Sequence, residues 1–366
     1  MYAAPPIPPD IVALSDYEAA ARQRMDDKAW AYFAGGSADE STLRANQAAF
    51  GDLLLQTRVL AEMQGAETRL TLFGQPMDYP ILLAPVAFHR LVHPDGELAA
   101  AFGAAAMGAT MVVSSQASTT LEAIAASTAA PLWFQLYIQH DRSFTEALLR
   151  RAEAAGYRAI VVTVDAPAAT RNREQRAGFA LPPGIEAANL RGLPPTPPSR
   201  AGLAESDVFR GLLDAAPSWK DIAWLRSLTR LPLLLKGIMS PADAQRAVAE
   251  GMDGIIVSNH GGRSLDTLPA SITALPRIAD AVGGRLPLLL DGGIRRGTDV
   301  LKALALGAHA VLLGRPQIHG LAVGGPVGVA HVLKILRTEL EIAMALTGCT
   351  RLDRIDRGVL WDAPPQ

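Results

Sequence analysis

Short apolar segments recur along the chain after residue 80, and nearly every one ends in a polar side chain. A short apolar run between turn signals is typical of a strand that is buried on both faces. Eight segments fit this description: Ile81–Val86, Thr110–Ser115, Leu132–Tyr137, Ala159–Asp165, Pro232–Ile238, Gly254–Asn259, Pro287–Gly292 and Ala310–Arg315. We interpret them as eight strands of one parallel sheet.

Stretches with helical spacing of apolar residues separate most of these strands. They are Glu97–Ala106, Leu121–Ala126, Phe144–Ala155, Pro241–Glu250, Ser271–Ala281 and Gly297–Leu306. Strands that alternate with helices in this way predict an α/β protein with the (β/α)8 architecture of a TIM barrel. A doubly wound open sheet stays possible, because eight strands do not by themselves prove closure.

The polar residues at the strand ends favour the barrel. They are Ser114, Ser115, Gln135, Tyr137, Thr163, Asp165, Lys236, Ser258, His260, Asp291 and Arg315. In a barrel the carboxyl ends of all strands converge on one mouth, where the active sites of this fold lie. In an open sheet only the residues at the switch point could act together. Helix capping and loop solvation would explain only some of these positions.

Two segments lie outside the strand–helix repeat. Residues 1 to about 80 hold three helical patterns, Tyr17–Arg24, Asp26–Phe33 and Ser41–Phe50, and are expected to cap the barrel. Residues 166–218 follow the fourth strand and are rich in proline, which prevents regular structure. A connection of that length is expected to be a lid, disordered in part. We treat residues 1–366 as a single domain.

Composition narrows the class of protein. The 366 residues are 49% hydrophobic and carry a formal net charge of -2, so no strong field attracts nucleic acid. The single cysteine, Cys349, cannot form a disulfide within the chain. The start of the chain lacks the features of a signal peptide, and Leu98–Val113 is too short for a membrane span. These observations predict a cytoplasmic protein with no membrane or nucleic-acid partner.

The segment Ser258-Asn259-His260-Gly261-Gly262-Arg263-Ser264-Leu265-Asp266 carries the most chemistry. It places an imidazole and, three residues on, a guanidinium where a strand opens into a glycine loop. A base beside a carboxylate-binding fork suggests chemistry on a small organic acid. The other histidines show no spacing with carboxylates that predicts a metal site, and we expect none: His89, His93, His140, His309, His319 and His331.

Taken together, the motifs resemble those of the FMN-dependent α-hydroxy acid oxidases and dehydrogenases, a family that includes glycolate, lactate and mandelate oxidases. The resemblance covers nearly the whole chain. It rests on Tyr32-Phe33-Ala34-Gly35-Gly36, Ala84-Pro85-Val86-Ala87, Phe134-Gln135-Leu136-Tyr137, Thr163-Val164-Asp165, Leu235-Lys236-Gly237, the Ser258–Arg263 stretch, Asp291-Gly292-Gly293-Ile294-Arg295 and Leu313-Gly314-Arg315. The family's fold is the barrel, and the resemblance implies a homotetramer.

The resemblance implies catalytic and substrate-binding roles. His260 is similar to the catalytic base, and Asp165 to the carboxylate that stabilises the imidazolium. Whether the base removes the hydroxyl proton or the α-carbon proton stays open. Arg263 resembles the arginine that binds the substrate carboxylate, and Tyr32 and Tyr137 resemble two substrate-binding phenols.

A second substrate-binding arginine is implied after the fourth strand. Arg171-Asn172-Arg173-Glu174 fits the family's Arg-x-Arg-acid pattern, with Phe179 beyond it. The spacing from Asp165 is one residue short, so we assign the role to Arg171 and keep Arg173 as the alternative.

The FMN site has support from the residues themselves. Lys236 could place its ammonium where a reduced flavin accumulates negative charge. The glycines and arginines that end the seventh and eighth strands suit a phosphate, and Asp291 suits the ribityl chain; the segments are Asp291-Gly292-Gly293, Arg295 and Gly314-Arg315. Ser114, Gln135, Thr163 and Ser258 resemble contacts to the flavin ring, and the backbone of Ala87 is expected against it.

Departures from the family pattern bear on the substrate. Gln116 stands where glycolate oxidase has tryptophan, Ala168 and Ala169 are small, and Val86-Ala87-Phe88 resembles mandelate oxidases. We expect oxidation of an aryl or medium-chain (S)-2-hydroxy acid to the 2-keto acid. Alanine rather than glycine at position 87 favours O2 as acceptor, with H2O2 formed. The alternative is a dehydrogenase that passes electrons to a quinone or another carrier.

Other functions stay open at this point. A Schiff-base aldolase could use Lys236 in the same barrel. An FMN-binding isomerase would need neither His260 nor net electron transfer. A non-catalytic scaffold gives no reason for a base, two arginines and a lysine at one mouth.

Overall fold

The barrel is closed. The structure, a computed structural model, describes residues 7–195, 206, 208, 209, 213 and 216–361. Its strands are β1 (Leu70–Leu72), β2 (Gln75–Met77), β3 (Ile81–Leu83), β4 (Met111–Ser114), β5 (Leu132–Leu136), β6 (Ile160–Thr163), β7 (Leu233–Ile238), β8 (Gly254–Val257), β9 (Leu288–Asp291) and β10 (Ala310–Leu313). β3 to β10 pair in parallel in chain order, and β10 pairs with β3 as well as β9. The predicted (β/α)8 barrel is therefore confirmed, and the open sheet is excluded.

All eight predicted barrel strands are present, each somewhat shorter than its apolar segment. The polar residues at the strand ends fall into two groups. Those that pair within their strands are Ser114, Gln135, Thr163, Lys236 and Asp291, and those that lie just beyond the strands are Ser115, Tyr137, Asp165, Ser258, His260 and Arg315. The helices are α1 (Leu14–Arg24), α2 (Asp27–Ala34), α3 (Ser41–Gly51), α4 (Gly96–Ala106), α5 (Leu121–Ala126), α6 (Arg142–Ala154), α7 (Asn172–Arg176), α8 (Trp219–Leu228), α9 (Pro241–Ala249), α10 (Ser271–Val282), α11 (Gly297–Ala305) and α12 (Arg315–Thr347). Every predicted helix is confirmed, and α7, α8 and α12 were not predicted.

Alternate side chains of each strand enter two different cores. In β8, Ile256 packs inside the barrel with Trp133, while Ile255 and Val257 face the surrounding helices. This follows from the two-residue period of a strand. Because both faces are apolar, the strands have no polar face to expose, and only their ends can carry chemistry.

A hairpin made of β1 and β2 closes the amino-terminal end of the barrel. Leu72 and Met77 join the interior core, and the ring of Phe73 lies 5.6 Å from that of Trp133. The indole Nε1 of Trp133 donates to Gln75 Oε1 at 3.1 Å. No strand was predicted in this segment. Three-residue strands are too short to give a recognisable alternation.

The carboxyl-terminal helix α12 is bent. Gly324 and Gly325 have non-helical dihedral angles, and Pro326 follows them. By length and composition α12 could cross a membrane, with a mean hydropathy of 1.3 in its most apolar window. However, 61% of that window is buried inside the protein, where α12 packs on α1, α4 and α11. We therefore describe it as a core helix.

The amino-terminal helices lie against the loops at the carboxyl ends of the strands. Asn46 in α3 exchanges two side-chain hydrogen bonds of 2.8 Å with Asn259, the residue before His260. A Cβ on Gly293 would lie 1.9 Å from the carbonyl oxygen of Asn46, so only glycine permits this approach. The helix α3 thus contacts the loops that follow β8 and β9.

Much of the predicted lid, residues 166–218, is described. It contains α7 and a turn at Ala188–Leu190, where Asn189 Oδ1 accepts a hydrogen bond from the backbone of Leu121. Residues 196–205 and several others up to 215 lie outside the described residues. The lid role stays a prediction.

Candidate active site

A cavity of about 350 Å³ opens at the carboxyl ends of the barrel strands. Sixteen of the predicted site residues line it: Tyr32, Ala87, Ser114, Gln135, Tyr137, Thr163, Arg171, Lys236, His260, Arg263, Asp291, Gly292, Gly293, Arg295, Gly314 and Arg315. The two others, Asp165 and Ser258, are not among the lining residues, but each forms a hydrogen bond with His260. The residues that the sequence distributes over eight strand ends are thus brought to one mouth.

His260 and Asp165 form the predicted pair. His260 Nδ1 lies 2.9 Å from Asp165 Oδ1. Burial lowers the pKa of His260, and the carboxylate of Asp165 opposes this only in part. Burial alone would raise the pKa of Asp165, but His260 and Lys236 together lower it. The resting imidazole is neutral and can accept a proton, and the carboxylate stays ionised to stabilise the resulting imidazolium.

The backbone at His260 has a left-handed conformation. Its φ is +59°, which is uncommon for a residue other than glycine. Its amide donates to Ser258 Oγ at 3.0 Å, and Ser258 Oγ also accepts a bond of 3.1 Å from Lys236 Nζ. Ser258 is not among the residues that line the cavity, and its hydroxyl positions His260 and Lys236. Its contact with the flavin stays a prediction.

Lys236 is held as an ammonium. Its Nζ lies 3.1 Å from Asp291 Oδ2. Burial disfavours the charge, but the carboxylates of Asp291 and Asp165 outweigh this and raise the pKa of Lys236. A Schiff-base lysine needs a lowered pKa. The electrostatics therefore argue against the aldolase and suit a fixed positive charge beside an electron-accepting ring.

A row of polar side chains crosses the ends of three adjacent strands. Ser114 Oγ donates to Gln135 Oε1 at 3.2 Å, and Gln135 Nε2 donates to Thr163 Oγ1 at 3.0 Å. The register aligns Ser114 with Gln135. This row forms one polar wall of the cavity, as expected for groups that bind the edge of a heteroaromatic ring.

Two arginines mark the carboxylate-binding end. Arg263 lies over the ring of Tyr32 at 5.2 Å and donates to the carbonyl of Gly35 at 2.9 Å. Arg171 also lines the cavity, and its buried Nη1 has no hydrogen-bond partner among the described residues. Burial and the nearby Arg263 lower the pKa of Arg171 to about 10. An anion that reached these guanidiniums would be strongly bound.

The alternative arginine points elsewhere. Arg173 pairs with Glu40, is 41% exposed and does not line the cavity, whereas the side chain of Arg171 is 22% exposed. The geometry supports Arg171. Tyr137 faces the same space, and burial raises its pKa to about 12, so its phenol stays protonated and able to donate.

The motif Tyr32–Gly36 acts through its carbonyl groups. It ends α2, where backbone carbonyls lack helical partners and favour cations. Arg315 donates to the carbonyls of Phe33, Gly35 and Gly261 at 2.8–2.9 Å. These bonds use three of the five N–H groups of a guanidinium, which leaves two for a ligand.

The residues present fit FMN. Asp291 lines the cavity, and its buried Oδ1 has no hydrogen-bond partner in the described part of the chain, as suits contact with a ribityl hydroxyl. Arg295 and Arg315 lie near one another beside Gly292 and Gly293. Burial and the repulsion from Arg263 and Arg295 lower the pKa of Arg315 to about 9. Glu18 is 3.7 Å from Arg295. Such a cation pair is suited to a phosphate dianion.

Phe88, Gln116 and Glu174 are among the lining residues that were not predicted to act in the site. The first two were noted in the sequence only for their bearing on the substrate. Glu174 contacts both arginines, with Oε1 3.1 Å from Arg263 Nη2 and 3.9 Å from Arg171 Nε. Glu174 lies three residues after Arg171, which directly precedes α7, and this spacing could have indicated the contact.

Comparison with known proteins agrees with the geometry. The family model of FMN-dependent dehydrogenases matches residues 21–362. An L-lactate oxidase of Alicycliphilus denitrificans is 49% identical over 97% of both chains. Glycolate oxidase 1 of Zea mays is 44% identical over 95% of both chains. A mandelate oxidase solved with (S)-2-phenylpropionate superposes with a TM-score of 0.86, at 41% identity over 96% of this chain and 98% of that one.

These matches define a class of FMN-dependent oxidoreductases that act on 2-hydroxy acids in a TIM barrel. The chain belongs to the FMN-dependent α-hydroxy acid oxidase family, and its cofactor is FMN. The aldolase and the non-catalytic scaffold are thereby excluded.

Proposed function

We propose that this enzyme oxidises an (S)-2-hydroxy acid with an aryl side chain, of the mandelate kind, to the 2-keto acid, and passes the electrons to O2 to give H2O2. The proposal of an aryl substrate rests on a group of aromatic side chains beside the two arginines. The rings of Tyr32 and Phe88 lie 6.0 Å apart, and Phe179 stacks on Tyr32 at 4.7 Å. An aryl side chain gains edge or stacking contacts from such rings.

The residues of the site have separate roles in this reaction. Arg263 and Arg171 bind the carboxylate, and Tyr32 and Tyr137 orient the carboxylate and hydroxyl. His260 takes a proton from the substrate while Asp165 stabilises the imidazolium. Bound FMN would supply the acceptor for the two electrons released at the α-carbon. Lys236 supplies the positive charge on the side of the cavity where Asp291 and Ser258 hold it.

Two further points belong to the same proposal. Ala87 lines the cavity and supports O2 as acceptor. We also propose that the protein is cytoplasmic and forms a homotetramer, and light scattering of the purified protein tests the tetramer.

The substrate is tested by anaerobic reduction of the bound flavin. We expect (S)-mandelate to bleach the flavin band with a larger second-order rate constant than (S)-lactate or glycolate. A Phe88→Ala variant should lose about 10-fold on mandelate, as removal of one aromatic contact costs roughly 1 kcal/mol or more, and little on lactate. A wild-type preference for glycolate or lactate would refute the aryl substrate.

The acceptor is tested in air. Peroxide should form in equal amount to the keto acid. Dye reduction without peroxide would instead support the dehydrogenase.

A further inference from the structure

The carboxylate-binding end of the cavity already contains a carboxylate. Glu174 Oε1 lies 3.1 Å from Arg263 Nη2 and 3.9 Å from Arg171 Nε. Its side chain is only 15% exposed, and it lines the cavity together with both arginines. The other donor of Arg263, Nη1, is taken up by the carbonyls of Tyr32 and Gly35. Glu174 therefore holds the Nη2 side of Arg263, which the substrate carboxylate also needs.

The carboxylate-binding end of the cavity has a net positive charge of one. Arg171 and Arg263 contribute two positive charges and Glu174 one negative charge, which leaves one positive charge for a ligand. The other carboxylates of the site are engaged, since Asp165 faces His260 and Asp291 faces Lys236. One substrate carboxylate neutralises this end, and a second would be an unpaired charge in a mostly buried space, which is costly.

We propose that Glu174 is a specificity-determining residue that restricts the enzyme to 2-hydroxy monocarboxylates and excludes 2-hydroxy dicarboxylates. The carboxylate of Glu174 neutralises one of the two guanidinium charges that would otherwise attract a dianion. It also repels the second carboxylate of such a substrate. Rejection by an unfavourable charge is a common way to obtain specificity. The proposal rests on the 2-hydroxy acid oxidase activity and is independent of the aryl preference.

The arrangement also explains why two arginines can share the site. Burial and the repulsion from Arg263 together lower the pKa of Arg171 to about 10, even with Glu174 beside both arginines. Glu174 raises that pKa and so keeps Arg171 charged. A glutamine at this position would keep a hydrogen-bond acceptor for Arg263 but remove the charge.

The test compares two substrates of similar length, (S)-malate and (S)-2-hydroxybutanoate, by anaerobic bleaching of the holoenzyme. The quantity measured is the ratio of their second-order rate constants of flavin reduction. The wild type should prefer the monocarboxylate by 10-fold or more. In Glu174→Gln the ratio of malate to hydroxybutanoate should rise at least 10-fold, because the negative charge that repels the second carboxylate of malate is removed.

Two variants serve as controls. Glu174→Asp keeps the charge and should leave the ratio within about 3-fold of the wild type. Glu40→Gln removes a similarly buried carboxylate that pairs with Arg173 outside the cavity, and it too should leave the ratio unchanged. General damage to the fold alters both rate constants together and so does not move the ratio.

Three results would overturn the proposal. The first is a wild-type ratio of the malate and hydroxybutanoate rate constants near one, a result that does not depend on the folding of any variant. The second is a ratio in Glu174→Gln that stays the same or falls while hydroxybutanoate still bleaches the flavin. The third is an equal rise in Glu40→Gln. Failure of the aryl preference would appear separately, as slow reduction of the wild type by (S)-mandelate.

Discussion

At the scale of single residues, the site depends on which charges are paired and which stay available to a ligand. The pairs His260–Asp165 and Lys236–Asp291 fix one neutral base and one permanent cation within a single cavity. The sequence predicted all four residues, because each lies at or just beyond the end of a predicted strand. It could not predict that Ser258 contacts both His260 and Lys236, since that depends on how the ends of β7 and β8 lie in space.

Replacing Asp165 by Asn should weaken the base. The carboxylate raises the pKa of His260, so its loss should lower that pKa further below the ordinary value of 6.5. We expect kcat/KM to fall about 10²–10⁴-fold. Protonation of the base removes activity at low pH, so the acid limb of the pH profile should lie below pH 6.5 in the wild type and move to lower pH in the variant. An acid limb that moves to higher pH would contradict this account.

Arg171 and Arg173 allow a matched comparison two residues apart. Arg171→Met removes a guanidinium from the cavity and should lower kcat/KM by about 10²-fold, since loss of one partner of a buried charge pair costs roughly 2–5 kcal/mol. Arg173→Met removes only the pair with Glu40 and should stay within about 3-fold. Steady-state kinetics with one substrate measures both. The reverse order would assign the substrate to Arg173.

At the scale of elements, helices and strands were predicted correctly where their apolar residues follow a regular pattern. They were missed where the element is short or interrupted, and contacts between distant segments were not predicted. The eight strands and the helices between them followed from apolar runs and helical spacing. The hairpin β1–β2 is too short for a pattern, and α12 is interrupted at Gly324 and Gly325. The contact of α3 with the catalytic loop could not be predicted, because Asn46 and Asn259 are 213 residues apart.

The amide pair between Asn46 and Asn259 should be important for both stability and cofactor binding. Asn46→Ala removes two hydrogen bonds from the buried amide of Asn259, which keeps only its contacts with Pro269 and Gly262, and this loss costs about 1–3 kcal/mol. We expect a lower melting temperature and a weaker affinity for FMN, because the loops after β8 and β9 lose their contact with α3. Gln47→Ala, an exposed neighbour in the same helix, is the control. Equal effects of the two substitutions would show that the pair has no special role.

At the scale of the whole molecule, the two ends of the barrel have separate tasks. The carboxyl-terminal mouth carries the cavity, whereas the amino-terminal end is closed by the hairpin that packs under Trp133. A catalytic face at the carboxyl ends of the strands and a stabilising face at the other end are typical of TIM barrels. The closed order of the strands is what brings residues from Tyr32 to Arg315 around one space.

This separation predicts a substitution that affects stability alone. Leu72→Ala removes a buried side chain from the hairpin and should lower the free energy of unfolding by about 2–5 kcal/mol. The values of kcat and KM at a temperature well below unfolding should not change. Thr71→Ala, exposed in the same strand, is the control. A large fall in kcat for Leu72→Ala would mean that the two ends are coupled.

The central claim is that His260 is the base for oxidation of a 2-hydroxy acid by bound FMN, and one measurement tests it most directly. His260→Ala is purified, its flavin absorbance is recorded, and a 2-hydroxy acid that reduces the wild type is added without oxygen. We predict that the variant keeps its FMN spectrum and that its rate of bleaching falls about 10²–10⁴-fold. Bleaching at the wild-type rate would contradict the account.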